Sequence, residues 1–435
     1  MWFSFTSVSS TALALFSAFQ PRIHRKMHLA SVALIFCSVL LVSDALLFPD
    51  IDPFSFFPGH DENYPEVYMD VPGMIRNQGY PAEVYPVETA DGYIIQIHRI
   101  PSGKNEPTPN TSQKPVVFLQ HGLMCSSSNW VANLPNESFG FILADAGFDV
   151  WMGNVRGNTY GLQNKYYSTD SDEFWDFSFD KMAEYDLPAM LDFVLKTTSQ
   201  TSLHYLGHSQ GTTMGFAEFS TNKELAAKVK KFYALAPVAR IGYAKSPFFV
   251  PGDSDSSIEL THEFLGKRGV LPSTYNMMKD WFSVHVCTNV VGRALGVGLI
   301  FMLCGPTDGL NVTRLPVYYS HTPSDTSVKD VIHWLQLFHS KKFQKYDYGT
   351  ENIKYYGKDD PPTYNLQEVD LPVALYSGSD DWLADPRDVA YLATQLPDMT
   401  HDEIPGWDHV DFIWGMQAPT LYHKIINDIK STLTE

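Results

Sequence analysis

The stretch Gly207-His208-Ser209-Gln210-Gly211 sets a serine between two glycines, after the apolar run Leu203-His204-Tyr205-Leu206 and before a helix-like pattern from Thr212 to Phe219. A serine hydroxyl is a weak nucleophile, so it must project toward a base from a sharp turn, and flanking glycines let the backbone make that turn without a Cβ clash. Strand, Gly-x-Ser-x-Gly and helix in that order form a nucleophile elbow. The helix start also points unpaired N–H groups at the serine, where developing negative charge is favoured. The chemistry to expect is acyl transfer through a covalent intermediate on Ser209.

Such a serine needs a base, an acid and an oxyanion site. Folds with this elbow carry the three residues in the order Ser, Asp, His, so the base lies late in the chain. His401, His409 and His423 are the candidates. His423 falls inside the closing helix pattern and reads as a surface side chain, and His401 begins a strand. His409 follows the loop Pro405-Gly406-Trp407-Asp408, from which an imidazole can reach a serine at the sheet's carboxyl edge, and it is the expected base. The acid should follow the strand Val373 to Ser377, where Asp380, Asp381 and Asp385 compete. Asp385 precedes Pro386 and is explained as a helix cap; between Asp380 and Asp381 composition does not decide. His121-Gly122-Leu123 follows an apolar strand upstream of the elbow, where the second oxyanion donor belongs, so the N–H groups of Leu123 and Gln210 form the expected oxyanion hole. His121 itself reads as a buried structural histidine. This chemistry calls for no cofactor and no metal.

The elements that must position these groups alternate. Glu83 to Thr89 and Tyr93 to Ile100 flank Asp91-Gly92 and read as an antiparallel hairpin. Strands at Val116 to Gln120, Phe148 to Met152, Leu203 to Leu206 and Phe232 to Leu235 are then separated by helical patterns, one of them continuous from Phe179 to Phe193. From about Ala239 to Val369 the alternation is lost, and it resumes with a strand from Val373, a helix from Pro386, a strand to Ile404 and a helix to Thr432. The expectation is an α/β-hydrolase fold, a mostly parallel sheet flanked by helices, built from 46–238 and 370–435 with a mainly helical cap inserted at 239–369.

The 435 residues, 44% of them hydrophobic, suffice for one catalytic domain with a large insertion. A formal net charge of −18 repels phosphate backbones and excludes nucleic acid as a partner, but not neutral lipid, which binds through apolar area. His24-Arg25-Lys26, an apolar run from Leu29 to Val42 and then Ser43-Asp44-Ala45 have the layout of a secretory signal, so residues 1–45 are expected to be an extension plus signal peptide with Met27 as the working start. The run is short for a bilayer, and no transmembrane helix is expected in the mature chain. Sequons at Asn110, Asn136 and Asn311 suit a glycoprotein of the secretory pathway. Cys37 leaves with the signal, and the odd number that remains, Cys125, Cys287 and Cys304, permits one bridge at most.

The chain resembles the acid lipase family, the group of gastric lipase and lysosomal acid lipase. The likeness runs from about Tyr68 to the C-terminus. It is carried by Glu88-Thr89-x-Asp91-Gly92-Tyr93, His121-Gly122-Leu123 with Ser128-Asn129-Trp130, Gly140-Phe141-Ile142-Leu143-Ala144-Asp145-Ala146-Gly147, Trp151-Met152-Gly153-Asn154 with Arg156-Gly157-Asn158, the elbow, and His409-x-Asp411-Phe412-Ile413-Trp414. The resemblance implies a mobile cap and hydrolysis of triacylglycerols or cholesteryl esters at a lipid–water interface, often at acid pH, in the lysosome or outside the cell. It also implies the acid: the family's triad aspartate falls on Asp381, directly before Trp382. The family has three cap cysteines with the first two bridged; here Gly296 stands in the middle place, so that bridge is impossible, and a Cys287–Cys304 pairing is left open.

On this reading Ser209 attacks the ester, His409 moves the proton and Asp381 orients the ring. The same residues would serve a carboxylesterase or thioesterase acting on soluble acyl compounds. A hydrolase-fold binding protein without activity typically lacks a triad member, and here all are present. Leu295 to Leu303 is apolar enough to meet a lipid surface and equally fits a buried helix. Acid operation is not explained by composition: an imidazole titrates near ~6.5, a carboxylate partner raises that value and burial lowers it.

Overall fold

The computed structural model describes residues 64–106 and 114–433, except 272–274, 276–278, 281, 284–286 and 288–289. The signal segment, Cys37 and the sequon at Asn110 lie outside the described residues.

Strands β1 (Glu83–Glu88), β2 (Tyr93–Ile100), β3 (Val116–Gln120), β4 (Asp149–Met152), β5 (Gln163–Asn164), β6 (Leu203–His208), β7 (Val229–Leu235), β8 (Val373–Gly378) and β9 (Met399–Ile404) form one sheet in the order β1-β2-β4-β3-β6-β7-β8-β9, with β5 on β2. From β4 to β9 every pairing is parallel, whereas β1, β2 and β5 are antiparallel additions. Burial explains the difference. β3, β4, β6 and β8 are buried at every position, as strands covered on both faces must be, while β1 and β9 alternate along the edges.

Helices α1 (Phe139–Asp145), α2 (Leu187–Thr198), α3 (Gln210–Thr221), α4 (Asp255–Leu265), α5 (Val290–Cys304), α6 (Leu315–His321), α7 (Val328–Ser340), α8 (Pro386–Gln395) and α9 (Ala418–Ser431) complete the fold. Among the described residues between β7 and β8 no strand joins the sheet, in line with the lost alternation. This insertion is bonded to the core: the Arg314 guanidinium donates to the Ala132 carbonyl, and the Thr307 hydroxyl to Asp411 at 2.7 Å. α5 lies with Ile300 buried and Leu295 60% exposed, so the apolar run is neither wholly core nor wholly surface. No helix of the described residues is long and apolar enough to cross a membrane.

Three features go beyond the sequence reading. The helix expected from Phe179 to Phe193 is present and widens into a π-type turn at Met182–Asp186, where Pro188 has no N–H to offer the Glu184 carbonyl and Arg156 binds the Asp186 carboxylate through both backbone and guanidinium. Cys287 and Cys304 are both free thiols. The Cys287 sulfur faces Gly296, where a Cβ would lie 3.6 Å away, and the helical rise from Gly296 to Cys304 is about 12 Å, too far for a bridge. Asn311 is 6% exposed, and its Nδ2 donates to Glu137 at 2.7 Å and Asn133 at 3.3 Å. Asn136, in contrast, is exposed.

Candidate active site

Every residue of the expected site lies beyond the carboxyl end of a parallel strand: Leu123 after β3, Ser209 after β6, Asp381 after β8 and His409 after β9. That edge is where open α/β sheets bind ligands.

The elbow is strained at the serine itself. Ser209 has φ 53° and ψ −122°, a conformation unusual for any side-chain-bearing residue, and it is fixed there by its N–H bond to the Leu235 carbonyl at 3.1 Å. The glycine two residues on serves close approach: a Cβ on Gly211 would stand 2.3 Å from the Gln120 carbonyl oxygen, so only glycine lets the start of α3 rest against the end of β3. Gly122 does the same for the loop after β3, where a Cβ would lie 2.9 Å from Ser209 Cβ and 3.4 Å from its hydroxyl. Thr212 and Thr213 then pin the turn to Val238, with hydroxyl bonds of 2.8 Å from the Val238 N–H and 2.7 Å to its carbonyl.

The backbone N–H groups of Leu123 and Gln210 donate to no acceptor among the described residues. Gln210's side chain is committed elsewhere, accepting from the Trp334 indole at 2.6 Å and donating to the Met182 sulfur at 3.3 Å. That leaves only its main-chain N–H without a partner among the described residues.

His409 is 4% exposed, and its Nδ1 lies 2.8 Å from Oδ2 and 3.1 Å from Oδ1 of the fully buried Asp381. Asp381 Oδ1 also accepts the N–H groups of Leu383 and Ala384, which fixes the carboxylate. The rival candidates are engaged otherwise. Asp385 accepts the Arg387 N–H as the cap of α8 and pairs with Arg387 and Lys245. His401 stays in β9, bonded to the Ser377 hydroxyl at 2.8 Å, and His423 is exposed on α9. His121 donates from Nδ1 to the Gly122 carbonyl and accepts from Asn158, and burial lowers it to about 4, a neutral support for the loop.

Three residues around the site escaped the sequence. Asp408 is buried beside Asp411; burial first, then the charges of Asp411 and Asp381, push its carboxyl up to about 9. Its Oδ1 accepts the N–H groups of Val410 and Asp411, and Asp411 accepts the Asp408 N–H in return. Trp334 reaches Gln210 from the insertion, and His208 reaches the His409 carbonyl at 2.9 Å. Sequence spacing carries no signal for contacts over such separations. Among the described residues no group of His, Cys, Asp and Glu is arranged to hold a metal ion.

Sheet order, elbow and the imidazole–carboxylate pair together define the class as an α/β-hydrolase. Residues 115–416 match the α/β hydrolase fold family, and residues 71–134 match its partial α/β-hydrolase lipase region. The chain belongs to the acid lipase family within that fold. It is 48% identical over 379 residues to human gastric triacylglycerol lipase, covering 85% of this chain and 92% of that one. To human lysosomal acid lipase/cholesteryl ester hydrolase it is 48% identical over 368 residues, covering 83% and 91%. A solved structure from Sulfolobus solfataricus assigned as a lipase superposes with a TM-score of 0.55 at 12% identity, over 82% of this chain and 95% of that one, which bears on the fold alone.

Proposed function

We propose that the chain is a lipase that hydrolyses carboxylic esters of neutral lipids, triacylglycerols or cholesteryl esters, with Ser209 as nucleophile, His409 as base and Asp381 as the group that orients the base. The observation that carries this reading is the buried His409–Asp381 pair at 2.8 Å, whose histidine main chain is bonded to His208 beside the strained elbow residue Ser209. His409 takes the hydroxyl proton as Ser209 Oγ bonds to the ester carbonyl carbon. The N–H groups of Leu123 and Gln210 stabilise the oxyanion, a contribution of about 3 kcal/mol per donor. The imidazolium protonates the departing alcohol; water, deprotonated by His409, then attacks the acyl-enzyme and releases the fatty acid and free serine. Asp381 keeps the Nδ1–H tautomer in place and balances the imidazolium charge.

The segment 239–369 is the cap over this site, meeting substrate at a lipid–water interface. The substrates follow from the names of the two human relatives, as does a place in the secretory pathway, lysosome or extracellular fluid; the exposed sequon asparagine Asn136 is the residue a glycan would take there. An acid optimum is what the family resemblance implies; burial keeps His121 and His208 neutral to about 4 and about 3, so they add no positive charge near the site as the medium acidifies.

The test is to assay the purified protein and S209A on triolein, a cholesteryl ester and a short soluble ester across pH. Turnover of the lipids, with an acid optimum and complete loss in S209A, supports the reading. A preference for the soluble ester assigns a carboxylesterase instead, and undiminished hydrolysis by S209A overturns the nucleophile.

A further inference from the structure

His208, the residue before the serine, is 2% exposed and uses one ring nitrogen. Its Nε2 lies 2.9 Å from the backbone carbonyl of His409 across 201 residues of sequence, and the two rings are 5.0 Å apart between centroids. A carbonyl only accepts, so the proton is on Nε2 and Nδ1 carries the lone pair. That Nδ1 is buried with no hydrogen-bond partner among the described residues, beside Gly122, where a Cβ would lie 3.3 Å from it. Burying an unpaired ring nitrogen costs free energy that an apolar side chain would not, so the bond from the other nitrogen must do something more than fill space.

His409 follows β9, an edge strand, and its side chain is oriented by Asp381 after β8; Ser209 follows β6, and β7 and β8 lie between β6 and β9. The His208 bond crosses that gap. Resting on the roles proposed for Ser209 and His409, we infer that His208 is a positioning residue that ties the main chain of the base to the strand end carrying the nucleophile. Serine and imidazole then share one rigid mount, and a loop shift at His409 cannot open the distance over which the proton moves. The ring stays neutral under acid because burial, then the neighbouring His409 and His121, hold it down to about 3. A charge there would oppose the imidazolium that forms on His409.

Kinetics of H208F and H208Q on a short soluble ester test this. H208F removes the donor and is expected to lower kcat on the order of 10–100-fold with KM within about twofold, the signature of lost geometry rather than lost binding. H208Q, whose amide N–H reaches the same carbonyl, is expected to recover most of that loss. Labelling of Ser209 by a fluorophosphonate should slow in H208F and recover in H208Q in the same proportion. Should H208F fail to fold, H208N, with an amide too short to reach the carbonyl, takes its place. Equal kcat and labelling rate in H208F or H208N and wild type, a change confined to KM, or H208Q as impaired as H208F each overturn the inference. Absence of labelling at Ser209 in the wild type overturns the catalytic reading itself, a separate failure.

Discussion

Trp334 donates its indole N–H to the side-chain carbonyl of Gln210 at 2.6 Å, which joins helix α7 of the insertion to the residue directly after the candidate nucleophile. Both residues are buried, at 3% and 1% exposure, so the bond has no competition from solvent. W334F leaves the Gln210 oxygen buried and unpaired, at a cost of about 1–3 kcal/mol. Urea unfolding should show that loss. The rate of Ser209 labelling should fall with it, because the freed side chain no longer fixes the Gln210 main chain. Unchanged stability together with unchanged labelling would remove the link.

Backbone strain at Ser209 gives a prediction about stability alone. With φ at 53° the position suits glycine, and strain of this kind is worth about 1–3 kcal/mol. S209G and S209A should both be inactive, but S209G should unfold at the higher temperature despite its greater chain entropy. Equal melting temperatures would mean that the turn is not strained.

Asp408 makes stability depend on pH in a stated direction. Burial and the charges of Asp411 and Asp381 raise its folded-state carboxyl far above the ordinary 3.8, to about 9, so the folded chain holds a proton that the unfolded chain releases. This contribution is fully present below pH ~4 and is lost as pH rises toward about 9. D408N, neutral throughout, should flatten the decline of melting temperature between pH 6 and pH 9 and leave acid stability close to wild type. Buried His98, His121, His204 and His321, each lowered to about 4 chiefly by burial, act in the opposite sense and weaken the fold as pH falls from ~6.5 toward about 4. A D408N profile parallel to wild type would show that the carboxyl is ionised in the folded state.

The site of the missing cap bridge remains built for one. A Cβ on Gly296 stands 3.6 Å from the Cys287 sulfur and 3.0 Å from the Tyr319 ring, so G296C needs only a small movement of that ring to pair with Cys287. Under oxidising conditions the variant should lose the Cys287 thiol to alkylation and keep Cys125 and Cys304 reactive on unfolding. Retention of all free thiols in G296C would show that the two segments do not approach as described.

The local pattern determined much of this protein. Apolar runs such as 116–119 and 373–376 announce strands buried on both faces, and Gly-x-Ser-x-Gly between a strand and a helix announces the elbow, because those features depend on neighbours in sequence. His409 as the candidate base was legible by chain order and its place in a loop. Asp381 rather than Asp380 was legible only through the family resemblance, since by composition adjacent carboxylates differ only in which one the fold turns toward the imidazole. The Trp334–Gln210 and His208–His409 bonds, the free state of Cys287 and Cys304, and the burial of Asn311 were not legible. Those are relations between segments far apart in the chain, and only the packing of the insertion and the C-terminal loops against the sheet sets which atoms meet.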